Sequence, residues 1–238
     1  MLVMHVLKRC LVADLENFMR YASVLSIADR ELSRIRAEIA HADVTAISSF
    51  TSVKERAAAS RAAAYIWLAA ILERVVRDAL QDTLREITLL ALPLRELRLS
   101  LFSLVCAPEF DSVSNRNKSA SWDSKISLFL RTIDAGPATL SEAVLPLDGG
   151  TIRAEHFDTI WLVLGIPSAS VPSPLHRIAL KELADGRNEV AHGHKDAVTF
   201  GRTKVTSDML RLTQRVDDVI THLFTELDFY IDRKLFIR

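Results

Sequence analysis

Late in the chain, Arg187-Asn188-Glu189-Val190-Ala191-His192 places a permanent cation, an amide and an imidazole within two turns of one expected helix. A guanidinium binds phosphate through a planar fork of donors. Imidazole ordinarily titrates near neutrality, which suits a group that must accept and then donate a proton. A phosphate-binding cation beside a proton-transfer group is the minimum equipment for cleaving an RNA phosphodiester without a metal ion. Asn188 and His192, four residues apart, share a helix face. Asp185 extends that face toward the N-terminus, and Arg187 is about a quarter turn away with a side chain long enough to reach round. A bland reading competes: helices often end in His-Gly because both residues suit a C-terminus, and a nearby arginine is commonly just solvated.

The helix that must carry these groups has clear end signals. Ser173 suits the N-cap and Pro174 the first helical position, and Gly193 stops the helix after His192. Leu175, Ala179, Leu183, Gly186 and Val190 are its expected buried face. Gly186 costs about 1 kcal/mol of helix propensity relative to alanine, so it marks either a close approach by another helix or a kink.

The remaining segments read as further helices. Leu7 to Ile47 fits one long amphipathic helix or two joined ones, through Leu11, Leu15, Phe18, Ala22, Leu25, Ile27, Leu32, Ile35 and Ile39. Thr45 to Ser52 is a connection or a cap. Val53 to Leu90 carries a wide apolar stripe (Ala57, Ala58, Ala62, Tyr65, Leu68, Leu72, Val75, Val76 and others), as a central bundle helix does, until Pro93 interrupts it. Pro108 to Asp123 is polar and irregular, and Ser121 or Asp123 could cap a short helix with Ile126, Leu128, Phe129, Leu130 and Ile133. Gly136-Pro137 and Asp148-Gly149-Gly150 are breaks, Thr159 to Leu164 is a short helix, and a last helix spans about Ser207 to Phe236. Tyr65, Trp67 and Trp122 are expected in the core rather than as base-stacking platforms.

Bulk properties agree with an all-α protein. Seven glycines and seven prolines in 238 residues, beside abundant Ala, Leu and Arg, favour helices over a sheet with many tight turns. Thirty basic and thirty acidic residues cancel, so any RNA contact must come from a local basic cluster. Cys10 and Cys106 are far apart, as befits buried thiols in a reducing compartment. The N-terminus lacks the layout of a signal peptide. The longest near-uncharged apolar run, Ala62 to Leu72, is too short to span a bilayer. The expectation is a cytoplasmic protein without membrane contact.

The pattern Arg-Asn-x-x-x-His-Gly, as Arg187, Asn188, His192 and Gly193, resembles the signature of the HEPN superfamily, and more narrowly of its bacterial RiboL-PSP-HEPN branch. The stretch from Ala64 to Val76, including Leu72-Glu73, is similar to that family's long early helix. Trp122 with Lys125 and Phe129 resembles its middle helix, and Gly165-Ile166-Pro167 precedes the motif helix as a similar step does there. The resemblance covers about residues 53 to 232. It implies a HEPN-like bundle of long antiparallel helices over 53–238, with residues 1–52 a helical extension packed on it as one compact unit. It also implies a homodimer whose motif helices share a composite cleft, and a metal-independent endoribonuclease that needs no cofactor. Carried over, His192 would move the proton, Arg187 would bind the scissile phosphate, and Asn188 would orient phosphate or His192. The products would be 2′,3′-cyclic phosphate and 5′-hydroxyl ends, from tRNA or mRNA. The implied setting is the toxin or effector of a toxin–antitoxin or phage-defence system, with an antitoxin protein as partner.

Glu73, Asp185 and Glu189 are candidate supporting residues, Glu73 either holding Arg187 or His192 or sitting at the stripe's edge. Arg116 and Lys118 could touch RNA backbone, though a solvated loop is the commoner role for such residues. His194 could pair with His192 on a metal, but no Cys, Asp or Glu set completes a site. No Walker loop, dinucleotide glycine pattern or nucleophile elbow is present. The competing function is a non-catalytic HEPN-type module that binds RNA, a nucleotide or a protein partner.

Overall fold

The computed structural model describes residues 20–107, 110, 118–133, 135–140, 145–147 and 149–238, with the side chains of 118–121 outside that description. Among the described residues there are eight α-helices and no strand, the all-α class expected. They are α1 (Ala22–Ala46), α2 (Thr51–Leu89), α3 (Leu99–Val105), α4 (Lys118–Arg131), α5 (Ala154–Leu164), α6 (Pro174–Ala191), α7 (Ala197–Arg202) and α8 (Thr206–Asp232). None of them is long and apolar enough to cross a membrane.

The stripes explain the helices. In α1 the buried positions are Val24, Ala28, Leu32, Ile35, Ile39 and Ala42, a continuous three- and four-residue step. Leu25 and Ile27, expected inside, flank that step and stay half-buried. The part of the expected first helix before residue 20 lies outside the described residues. α2 is the longest element, at 39 residues. Ala57, Ala58, Ala62, Tyr65, Leu68, Leu72, Val75 and Val76 are all buried along it, so neighbours can approach its alanine-lined surface closely.

The chain groups into two compact units. One takes in α1, α2 to Ala79, residues 150–154, α6, α7 and α8 to Phe224; the other takes in 80–149, 155–170 and 225–238. α1 and α2 as far as Ala79 belong to the same unit.

In the first unit, α2, α6 and α7 meet over two glycines. A Cβ on Gly186 would come within 2.5 Å of Tyr65 Cδ1 and 3.2 Å of Phe200 Cζ. A Cβ on Gly201 would overlap the Ala58 carbonyl oxygen at 1.8 Å. Gly186 therefore marks a close approach and not a kink; α6 is one continuous helix. The Tyr65 and Phe200 rings pack edge to face at 5.2 Å between centroids. α7 went unread in the sequence. Asp196 caps it by accepting from the Thr199 amide at 3.0 Å.

In the second unit, the C-terminal residues close against the turn after α2. Leu97 pairs with Ile237, the Arg98 amide donates to the Phe236 carbonyl, and the Arg238 amide donates to the Glu96 carbonyl. Leu101, Cys106, Leu140, Phe157, Ile160, Leu227, Tyr230 and Phe236 form its core. The short helix expected to be capped by Ser121 or Asp123 starts a little earlier, at Lys118, ends at Arg131, and presents most of its apolar face outward: Leu128 is buried while Trp122, Ile126, Phe129 and Leu130 are exposed. Trp122 is thus not a core residue; Lys125 lies over its ring at 4.8 Å. Trp67 also departs from the core reading: it is 40 % exposed and lines a surface groove with Ile35 of α1 and Ile71.

Candidate functional site

α6 delivers the motif as its end signals require. Ser173 is the extended N-cap, Pro174 the first helical residue, His192 the C-cap, and Gly193 follows at φ +68°. That left-handed geometry suits glycine and releases the chain directly after the imidazole. The buried face is Ala179, Leu180, Leu183, Ala184 and Gly186. Leu175, expected to be buried, is exposed in the first turn, and Val190 is half-buried.

Arg187 and Asn188 act as a pair. Arg187 Nη1 donates to Asn188 Oδ1 at 3.2 Å. A guanidinium can only donate, so the Asn188 atom facing it must be the carbonyl oxygen. Thr151 Oγ1 donates to that same Oδ1, also at 3.2 Å. With its carbonyl taken twice, Asn188 has its Nδ2 protons left to offer. The pair therefore presents only donors, the arrangement that suits an oxyanion.

Charge is distributed to the same effect. Asp185 is held by Lys181 and Arg153, each at 2.8 Å. The Lys181 hydrogen bond first, then that of Arg153, keep its carboxyl below the usual range. Glu189 is paired with Lys195 at 2.7 Å. Both acids flanking the motif are thus engaged by other cations. Arg187 has no carboxylate partner among the described residues; its one hydrogen bond goes to a neutral amide. Within this set of pairs, four cations (Arg153, Lys181, Arg187, Lys195) meet two carboxylates, and Arg187 is the cation without an anionic partner.

His192 is exposed, and its backbone amide donates to the Asn188 carbonyl at 3.1 Å. Its ring makes no hydrogen bond among the described residues. The His194 ring is 6.0 Å away, tilted by 45°. Among the described residues, no three His, Cys, Asp or Glu side chains gather as metal ligands would.

The other candidates separate from this set. Glu73 pairs with Arg77 on its own helix at 2.6 Å, so it sits at the stripe's edge and holds neither Arg187 nor His192. Arg116 and the Lys118 side chain lie outside the described residues. Sequence reading missed Thr151, Arg153 and Tyr65 as neighbours of the motif helix. Tyr65 donates to Glu182 at 3.1 Å. Burial first, and then the Glu182 carboxylate, push its phenol well above the ordinary value, so it remains a donor. Only the aromatic at 65 opposite the glycine at 186 was a readable signal; Thr151 and Arg153 carry none.

No curated protein and no solved structure matches this chain. One family model does, over residues 24–236. The branch is the MAE_28990-like one, where the sequence had suggested RiboL-PSP-HEPN, and it takes in α1, which the resemblance had left out. The chain belongs to the HEPN_MAE_28990-like HEPN family, and so to a superfamily that includes RNases.

Proposed function

We propose that the protein is a metal-independent endoribonuclease. The observation that carries this reading is the Arg187–Asn188 pair: an un-neutralised guanidinium fixed on an amide whose remaining capacity is all donor, one turn from an exposed imidazole. In the proposed reaction the ribose 2′-oxygen attacks phosphorus and gives up its proton to a histidine. The P–O5′ bond breaks, and the 5′-oxygen leaves with a proton donated by an imidazolium. The products are a 2′,3′-cyclic phosphate and a 5′-hydroxyl. Arg187 and Asn188 Nδ2 donate to the non-bridging oxygens, where negative charge builds up.

One His192 would serve both proton transfers in sequence; in a homodimer two copies would divide them. Support for a dimer comes from the outward side of α6, where Leu175 and Ile178 are 55 % and 58 % exposed. A partner helix on that side would bring a second motif alongside. The proposed setting, a toxin or effector restrained by an antitoxin, rests on the resemblance alone.

The test is cleavage of total cellular RNA and of tRNA by the purified chain in excess EDTA. Fragments with cyclic-phosphate and 5′-hydroxyl ends support the proposal. An intact, folded protein that binds RNA without cutting it supports the binding-module reading instead.

A further inference from the structure

We infer that Thr151, outside the motif, is a positioning residue for Arg187, acting through Asn188; this rests on the ribonuclease reading for its catalytic consequence but not for its structural one. Residues 151–153 form a short strap without regular structure ahead of α5. Ile152 is 2 % exposed and anchors the strap in the core. The side chains on either side of it both reach α6: Thr151 to Asn188 and Arg153 to Asp185.

The two contacts act on the motif together. Asn188 Oδ1 has two lone pairs, and Thr151 and Arg187 use both. The amide cannot flip without losing its hydroxyl donor and turning its own N–H groups toward a guanidinium. The hydroxyl thus locks the amide, and the amide fixes Arg187. Arg153, with Lys181, holds the Asp185 carboxylate two residues away, which keeps an acidic group on the same turn from pairing with Arg187. Without the strap, Arg187 would still be present but would lose its fixed direction. Misplacement by about 1 Å can lower a rate on the order of a hundredfold.

The experiment compares wild type with Thr151→Val, Thr151→Ser and Arg153→Gln, each checked for fold by circular dichroism and thermal melting. The first readout is NMR of the Asn188 side-chain amide and the Arg187 guanidinium protons, assigned with Asn188→Ala and Arg187→Lys. Thr151→Val should collapse the Asn188 and Arg187 signals toward solvent-averaged positions, and Thr151→Ser should restore them. The second readout is RNA cleavage: Thr151→Val should lower kcat by about ten- to a hundredfold with KM changed much less, and Thr151→Ser should recover most of it. Arg153→Gln should lower the rate while leaving the Asn188 amide signals in place. Wild-type NMR signals in Thr151→Val would overturn the inference. A wild type that cuts no RNA would defeat the ribonuclease reading alone, since the NMR comparison still decides whether Thr151 sets Arg187.

Discussion

Arg187 differs from its neighbours in what it lacks. Lys181, Arg153 and Lys195 are each committed to a carboxylate, whereas Arg187 is held only by a neutral amide. A cation in that state is kept ready for an anionic ligand. Its planar fork matters as much as its charge, because two parallel donors match two phosphate oxygens. Arg187→Ala should abolish cleavage with the melting temperature almost unchanged, since no buried charge pair is broken. Arg187→Lys should restore a minor fraction, about a hundredth to a tenth of wild-type kcat. Initial-rate measurements on one RNA check both; full activity in Arg187→Lys would show that charge alone suffices. At this scale the motif was legible in the sequence, because Asn188 and His192 are one helical turn apart. Its support was not: Thr151 is 37 residues from Asn188, and a hydroxyl–amide bond across that separation leaves no periodic trace.

The position of the motif helix depends on how closely α6 lies to α2 and α7. Gly186 makes room for the Tyr65 and Phe200 rings, and Tyr65 reaches past it to Glu182. Gly186→Ala would gain about 1 kcal/mol of helix propensity. Against this stands a Cβ at 2.5 Å from a fully packed ring, and overpacking of that kind costs about 1–3 kcal/mol or more. The net expectation is destabilisation by about 1–2 kcal/mol, seen as a lower denaturation midpoint, together with reduced cleavage as the Arg187–Asn188 turn is pushed outward. An unchanged midpoint would mean that the two helices are not tightly apposed at this point. Elements with end signals and long stripes were readable: α2 was expected over 53–90 and spans Thr51–Leu89, and α6 begins at Pro174 and gives way to Gly193 as read. α7 is only six residues long, too short for a stripe, and its cap at Asp196 gave no periodic support. Leu175 misled because its side of the first turn of α6 faces outward, so apolar character there did not mean burial.

For the molecule as a whole, balanced charge had weighed against an RNA partner. The pairing around the motif weakens that objection, because Asp185 and Glu189 are neutralised while Arg187 is spared. Family membership was legible from seven positions, Arg-Asn-x-x-x-His-Gly; the branch and the inclusion of α1 were not, because the resemblance was read from segments that begin at residue 53. The proposed composite site makes assembly testable. Ile178→Glu places a charge in the exposed apolar patch of α6, and burying an unpaired charge at an interface is strongly unfavourable. Light scattering should give a dimer mass for wild type and a monomer mass for Ile178→Glu, with cleavage falling about tenfold or more as the second motif is lost. Equal masses would place any dimer interface elsewhere.

The central claim, that an imidazole at the end of α6 moves the proton in RNA cleavage, is tested most directly by comparing wild type and His192→Ala on the same RNA in EDTA. His192 is exposed and its ring makes no hydrogen bond among the described residues, so the substitution should leave folding and dimer mass intact. The account predicts cyclic-phosphate fragments from wild type and none from His192→Ala. Equal cleavage by the two proteins would contradict it.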